Sequence, residues 1–329
     1  MHKPRQRSQR RAGIRAFLLL SAFVLLLAVL VRLDWSKYIS AGESGSLGQS
    51  AVLRPGEEPR VLMQVYYFDV GQGDCELVQV PAADGMFNML IDTGESAYGA
   101  GLLKTLEDLG VEKLDVLVMS HPHADHMGAM GELICNMEVD RLYMPVLPEE
   151  YTPTTTAYER VLDAVAEKGV PVTRLITGTP MEVPGTVSVQ VLAPDADADW
   201  EDTNNYSAVL RITAGETAFL FTGDAGKESE AVILEKGGEL YAQVLKVGHH
   251  GSGSAASAAF FDAVAPDTAV ISCGKDNDDG HPHRETLELL ARRGTAVLRT
   301  DEDGTILAVT DGKSITVQKG LASIQSTEP

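Results

Sequence analysis

Hydrophobic positions divide this 329-residue chain into zones of different pattern. Residues 16–33 begin with an uncharged apolar run, residues 34–60 lack sustained periodicity, residues 61–319 alternate short apolar runs with amphipathic stretches, and residues 320–329 are largely polar. In the third zone, short apolar runs bounded by turn residues predict strands at 62–68, 76–80, 88–91, 114–119, 187–192, 207–213, 217–221, 243–247, 268–272, 295–299, 305–309 and 314–318. Helical spacing predicts helices at 101–109, 157–168, 227–236, 255–264 and 284–293. Gly110, Gly169, Gly237 and Gly294 follow four of them, where a helix ends best on a residue free to adopt positive φ. So many strands with few intervening helices predict an α/β (α+β) fold of two sheets covered by helices. The pattern asks for one domain over 61–319 and a frayed tail over 320–329. No repeat of fixed period is present.

The amino terminus has its own logic. Lys3, Arg5, Arg7, Arg10, Arg11 and Arg15 make residues 1–15 a basic tail ahead of the apolar run from Ala16 to Val31, which Arg32 closes. The run falls a little short of the roughly 20 residues that cross a bilayer. Leu33, the aromatic rings of Trp35 and Tyr38 and the reach of arginine side chains extend it. Residues 16–33 are therefore expected to form a single-pass signal-anchor, with residues 1–15 in the cytoplasm, 34–60 a Gly/Ser/Glu/Pro-rich tether, and the rest on the extracytoplasmic side of the cell membrane. A cleaved signal peptide competes, although Ile39-Ser40-Ala41 is a poor cleavage pattern.

Charge sharpens the picture. Beyond residue 37 the chain holds 19 Lys+Arg against 46 Asp+Glu, a net charge of −27. Such a body has no global attraction for nucleic acid, so any polyanion must be held locally. Acidity of this kind also keeps an exported protein soluble. Cys75, Cys135 and Cys273 show no close spacing and specify neither a disulfide framework nor a thiolate metal site.

The histidines carry the chemistry. Seven of the eight fall in three groups: His121, His123 and His126; His249 and His250; His281 and His283. The first group lies in His121-Pro-His-Ala-Asp-His126, just after the strand predicted at 114–119. Imidazole and carboxylate packed this densely at a strand end form a metal site for a borderline divalent cation. Asp224 ends another strand and suits an oxygen bridge between two metals. Asp92 ends a third, where it can orient ligand histidines.

These motifs, with Phe68-Asp-Val-Gly-Gln-Gly-Asp74, Ile91-Asp-Thr-Gly94, Asn204-Asn-Tyr-Ser-Ala-Val-Leu210, Thr222-Gly-Asp224, Lys246-Val-Gly-His-His-Gly-Ser252 and Gly280-His-Pro282, occur in an order that resembles the metallo-β-lactamase-fold hydrolases. Within them the chain is similar to the soluble domain of the ComEC/Rec2 competence proteins, over roughly residues 61–319. The resemblance implies a four-layer αββα sandwich with a dinuclear site at one edge. It implies His121 and His123 on the first metal, Asp125 and His126 on the second, Asp224 between them, and His249 on the second, with His250 as the alternative to His249. Asp74 and Asp92 would stand behind the ligands. The wider family supplies a third histidine to the first metal from a loop before the bridging Asp, whereas this chain has no histidine between His126 and His249.

A dinuclear site cleaves phosphate esters, carboxylic esters and lactams alike, and fold alone does not choose among them. Lys246, Ser252 and Ser254 beside the imidazoles, Asn205 and Ser207 as neutral donors, and His281 as general acid favour a phosphodiester, DNA included. Asp125, Lys246 and His281 are the expected catalytic groups. Two divalent cations are implied, Zn²⁺ first and Mn²⁺ next, and no obligate protein partner is readable. A lactone, β-lactam or phosphocholine-type ester is the alternative substrate, and a non-enzymatic metal-binding module the alternative class.

Overall fold

The computed structural model describes residues 61–327. The cytoplasmic tail, signal-anchor and tether expected over residues 1–60 lie outside them. Among the described residues no helix is long and apolar enough to cross a membrane.

The first part of the chain runs β1 (Met63–Tyr67), β2 (Glu76–Ala82), β3 (Gly85–Ile91), α1 (Gly99–Asp108), β4 (Lys113–Leu114), β5 (Val116–Val118), α2 (Ala124–Met127), α3 (Met130–Asn136), β6 (Glu138–Val139), β7 (Leu142–Met144), α4 (Thr156–Lys168) and β8 (Val172–Arg174). The second runs β9 (Val187–Ala193), β10 (Val209–Ala214), β11 (Thr217–Phe221), α5 (Lys227–Lys236), β12 (Val244–Lys246), α6 (Ala258–Val264), β13 (Thr268–Ile271), α7 (Arg284–Arg293), β14 (Ala296–Arg299) and α8 (Thr300–Asp303), and then β15 (Thr305–Thr310) and β16 (Ile315–Leu321). Two large sheets result, ordered β16-β15-β1-β2-β3-β5-β7-β8 and β14-β13-β12-β11-β10-β9, and β4 pairs with β6 in a small third one.

Side-chain alternation makes four layers. In β1, Met63, Val65 and Tyr67 turn to the neighbouring sheet, where they join Leu210, Ile212, Phe219 and Phe221 in one core; Tyr67 stacks on Phe221 with ring centroids 5.9 Å apart. The opposite face of the first sheet, with Leu77, Leu90 and Leu117, is covered by Leu102 and Leu106 of α1, Leu133 and Ile134 of α3 and Val161 of α4. The far face of the second sheet, with Leu220, Leu245 and Ala269, is covered by Ile233 of α5, Phe260 and Phe261 of α6 and Leu290 of α7. The αββα sandwich expected from sequence is the fold observed.

Within each sheet a parallel set decides where chemistry can sit. Strands β3, β5, β7 and β8 run parallel, as do β11 to β14, with helices returning the chain between them. Their carboxyl ends deliver Asp92 after β3, Ser120 and His121 after β5, Asp224 after β11, and His249 and His250 after β12. The sequence pattern missed the three-residue strands β7 and β8, the two-residue pair β4 and β6, and the short helices α2, α3 and α8. Strands of two or three residues and helices of four complete too little of a period to register, whereas the seven-residue α3 is as long as α6 and was simply not read.

The tail expectation is corrected. Strand β16 runs on to Leu321, and Ile324 packs into the layer under α1 while its N–H donates to the Asp69 carbonyl at 2.9 Å. Thr327 N–H donates to the Ala97 carbonyl at 2.8 Å. One apolar residue in a polar tail suffices to dock it, because its backbone finds partners along the way.

Candidate metal centre

Asp224 is the hub. It follows β11 through the turn at Gly223 (φ +48), and its N–H donates to Ser207 Oγ at 3.1 Å. Its carboxylate is buried among four imidazoles. His126 Nε2 lies 3.3 Å from Oδ1; His121, His249 and His250 place Nε2 at 3.8, 3.7 and 3.7 Å from Oδ2.

Each of those rings is held through its other nitrogen. His126 Nδ1 meets Asp92 Oδ2 at 2.8 Å, His121 Nδ1 meets Ser120 Oγ at 3.1 Å, His249 Nδ1 meets Ser254 Oγ at 3.0 Å, and His250 Nδ1 donates to the Ser272 carbonyl at 2.9 Å. Ser120 is bound in turn by Asp92, through its N–H at 2.7 Å and through its hydroxyl. Fixing Nδ1 sets the tautomer that leaves the Nε2 lone pair facing inward, the arrangement of a metal-ligating histidine. His123 is oriented differently, with Nε2 3.0 Å from Thr203 Oγ1, so its Nδ1 is the nitrogen left over.

Backbone strain is concentrated here. His249 (φ 50, ψ 50) and His250 (φ 51, ψ 25) both occupy the left-handed region, as does Asp92 at φ 56. Two consecutive left-handed non-glycine residues are costly and persist only where their surroundings demand them. The strain lets neighbouring rings both reach Asp224. His250 is buried, with Nε2 3.2 Å from Asp125 Oδ2; His249 is partly exposed at the rim. Gly73 (φ +146) lies against the Asp125 carbonyl, where any side chain would collide.

The donor set fits a cation. Nearest ligand atoms of Asp125, His126, Asp224 and His250 all lie within 4.8 Å of one another. His121 Nε2, His126 Nε2 and Asp224 Oδ1 are buried and have no hydrogen-bond partner among the described residues, a cost that a bound ion would remove. Charge balance agrees. Burial alone would lower His126 and His250, yet Asp224 and Asp125 outweigh it, raising His126 well above its ordinary value and pushing His250 up to about 10. Burial would raise Asp224, but His126, His250 and His121 hold it well below the usual carboxylate range. His121, where burial wins, lies well below the ordinary value and is neutral. The pocket demands positive charge, from protons on two rings or from metal.

A sequence profile of the β-lactamase superfamily domain matches residues 87–251, half of the chain and all of the strand ends just described. The chain belongs to the metallo-β-lactamase superfamily. It is 35% identical over 259 residues to ComE operon protein 3 of Bacillus subtilis (strain 168), covering 74% of this chain and 32% of that protein. It is 33% identical over 258 residues to competence protein ComA of Neisseria gonorrhoeae, covering 77% and 33%. With recombination protein 2 of Haemophilus influenzae the identity is 31% over 248 residues, covering 74% and 28%. The chain thus spans about a third of the length of the curated relatives it matches.

In this metallo-β-lactamase-fold hydrolase, several residues expected at the reaction centre are placed elsewhere. Lys246 is buried, its Nζ 2.7 Å from Asp74 Oδ2 and donating to the Val247 carbonyl at 3.1 Å. It neutralises a carboxylate behind the imidazoles and faces no substrate. Its position two residues after Val244 explains this, since alternation returns it to the space between the sheets. Asp74 also meets His250 Nδ1 at 3.3 Å. Asn205 is no free donor either: Oδ1 accepts from Gly226 and Ser229 N–H at 3.1 and 3.3 Å and Nδ2 donates to Glu228 Oε2 at 2.8 Å, capping α5. Ser252 is buried and accepts from the Ser254 hydroxyl at 3.0 Å, so it supports His249 at one remove. His281 reaches the rim, its ring centroid 5.4 Å from that of His249. Burial and the imidazoles around it push it down to about 4, so it stands uncharged at neutral pH. The general-acid role expected of it requires a proton its surroundings do not supply. Ser254, read from sequence as flanking the imidazoles, holds the His249 ring, whereas the roles of Ser120 and the Ser272 carbonyl went unrecognised; of these two only Ser120, adjacent to His121, carried a local signal.

Proposed function

We propose that this protein is an exported, membrane-anchored phosphodiesterase that holds two divalent cations and acts on DNA. The observation that carries the reading is the convergence of four Nδ1-anchored imidazoles on the buried Asp224, beside three orphaned ligand atoms. His121 and His123 with Asp224 would hold one cation, and Asp125, His126 and His250 with Asp224 the other. His249 and His250 both meet the Asp224 oxygen that His121 meets, and His249, the one at the rim, would stand in for the histidine that the loop before Asp224 lacks. Zn²⁺ suits this His/Asp set best, with Mn²⁺ next. Bound there, such cations supply Lewis-acid activation of water and neutralise charge on a phosphoryl group.

The protein's own groups do the rest. Asp92 and Ser120 hold His126 and His121 in the tautomer that presents Nε2. The Lys246–Asp74 pair keeps a carboxylate charged behind His250. His281, uncharged at the rim, donates its ring N–H to a substrate oxygen or accepts a proton from water. The choice of a phosphodiester rests on the relatives, whose names speak of competence and recombination, the latter a process of DNA. Export and anchoring rest on the basic tail and apolar run before residue 33.

The test is hydrolysis by the full chain, loaded with Zn²⁺ or Mn²⁺, of bis(p-nitrophenyl) phosphate, single- and double-stranded DNA, and a β-lactam, with Asp224→Ala as control. Cleavage of DNA and of the small diester that Asp224→Ala abolishes is the expected result. Turnover of the β-lactam alone would overturn the substrate class, and metal binding without any hydrolysis would favour a metal-binding module.

A further inference from the structure

A cavity of about 450 Å³ opens beside the metal centre, sharing His123 and Asp125 as part of its wall. That volume falls in the roughly 300–1,000 Å³ range of small-molecule sites. The remaining wall has a consistent chemistry. Tyr151, Pro122, Pro153 and Leu147 supply flat or apolar surface, and Thr155 and Thr203 supply hydroxyls able to donate or accept. Among the described residues no lysine or arginine lines it. Glu150, Glu201 and Asp199 lie close enough to Tyr151 that, after desolvation, their charges raise its phenol. Nothing here would welcome a second phosphate. Lys275, exposed and without an ion pair among the described residues, lines a separate cavity of about 430 Å³ that shares His281.

We infer that the first cavity is the subsite for a flat, uncharged group carried by the scissile phosphate, a nucleobase when the substrate is nucleic acid, seated against the Tyr151 ring. The inference rests on the phosphodiesterase reading and adds its substrate class. Thr203 is already tied to His123 at 3.0 Å, so a group bound in the cavity is in register with the metal ligands. Tyr151 stands in the loop between β7 and α4 and is partly exposed, with no hydrogen bond holding its hydroxyl among the described residues. Its ring is thus available as a stacking platform, and base–aromatic stacking tolerates any base. The acidic surroundings turn the next phosphate of a strand outward. A base can enter only when unpaired, so single-stranded ends are preferred over intact duplex.

The experiment is calorimetric binding to the metal-loaded full chain of four probes: thymidine 5′-monophosphate, phenyl phosphate, deoxyribose 5-phosphate and inorganic phosphate. Thymidine 5′-monophosphate is expected to bind tenfold or more tightly than deoxyribose 5-phosphate. Tyr151→Ala should remove that advantage and Tyr151→Phe should keep it. If phenyl phosphate matches the nucleotide, ring stacking alone is the source; if the nucleotide binds tighter, the threonine hydroxyls read the base as well, and either result supports the subsite. Equal affinity for nucleotide and sugar phosphate in the unmodified protein, or an advantage that survives Tyr151→Ala, overturns it. Hydrolysis of bis(p-nitrophenyl) phosphate separates the two levels: activity without a base preference refutes the subsite alone, whereas absence of both phosphate binding and hydrolysis refutes the phosphodiesterase reading.

Discussion

Replacing Lys246 by Met separates a buried ion pair from a catalytic cation. Lys246 and Asp74 lie 2.7 Å apart with side chains no more than 2% exposed. Removing the ammonium strands a carboxylate away from water, a change that costs about 3–5 kcal/mol in buried pairs. Asp74 keeps His250 Nδ1 at 3.3 Å, which offsets part of the loss and places the expectation near the lower end, about 3 kcal/mol. For a domain of this size that is a fall in melting temperature of roughly 6–12 °C. Asp74 is lowered, with Lys246 overcoming the burial that would raise it, and Lys246 is raised, with Asp74 overcoming the burial that would lower it. The pair's contribution is therefore present above the ordinary carboxylate value and lost as pH falls through the depressed one. It is likewise present below the ordinary lysine value and lost as pH rises through the elevated one. The deficit of Lys246→Met should then be flat from about pH 5 to 9. The assay is thermal melting at saturating metal for the unmodified protein, Lys246→Met and the double variant Lys246→Met, Asp74→Leu, which should recover most of the loss. A melting temperature within about 2 °C of the unmodified protein, together with a raised KM for the diester, would refute the reasoning and return Lys246 to the substrate.

Four more expectations follow from the same geometry. Glu76 is buried with Oε1 unpartnered, and burial reinforced by Asp74 raises it well above the ordinary value; it stays protonated in the fold while the unfolded chain ionises, so Glu76→Gln should gain stability over the unmodified protein as pH rises from about 4.5, visible in denaturant melts at several pH values. Asn205→Ala should cost roughly 1–2 kcal/mol by uncapping α5 while leaving KM for the diester unchanged; a raised KM with unchanged stability would restore it as a substrate donor. Chelation should lower the melting temperature, because carboxylates and orphaned imidazoles lose their cation, and Zn²⁺ at about 100 times its Kd should restore roughly 2.7 kcal/mol. The net charge of −27 beyond residue 37 should make kcat/KM on DNA rise as NaCl goes from about 20 to 150 mM, opposite to a cationic nuclease, and a falling profile would show a local basic track.

Much of the fold and the centre was legible in the chain. Apolar alternation identified the strands that form the inner core, because burial of one sheet face imposes a period of two. The His121–His126 motif was legible because six consecutive residues supply ligands without help from distant parts of the chain. Asp224 and Asp92 were legible because each ends an apolar strand. The roles of Lys246 and Asn205 were not, since both depended on which way a side chain points once two sheets pack. Residue type suggested a cation and a donor beside the site; packing turned one to Asp74 and the other to the first turn of α5.

By itself, then, the sequence determined the layer architecture, the ligand types and the strand ends that carry them, since periodicity and local composition are properties of neighbours along the chain. Tertiary structure alone decided that His249 and His250 both reach Asp224, that serines and a backbone carbonyl set their tautomers, that Ile324 docks the tail, and that a cation-free cavity adjoins the metal ligands. All but the His249–Ser254 contact join segments tens to hundreds of residues apart. Their geometry depends on how the two sheets stack and where each left-handed backbone residue turns, which no local pattern records.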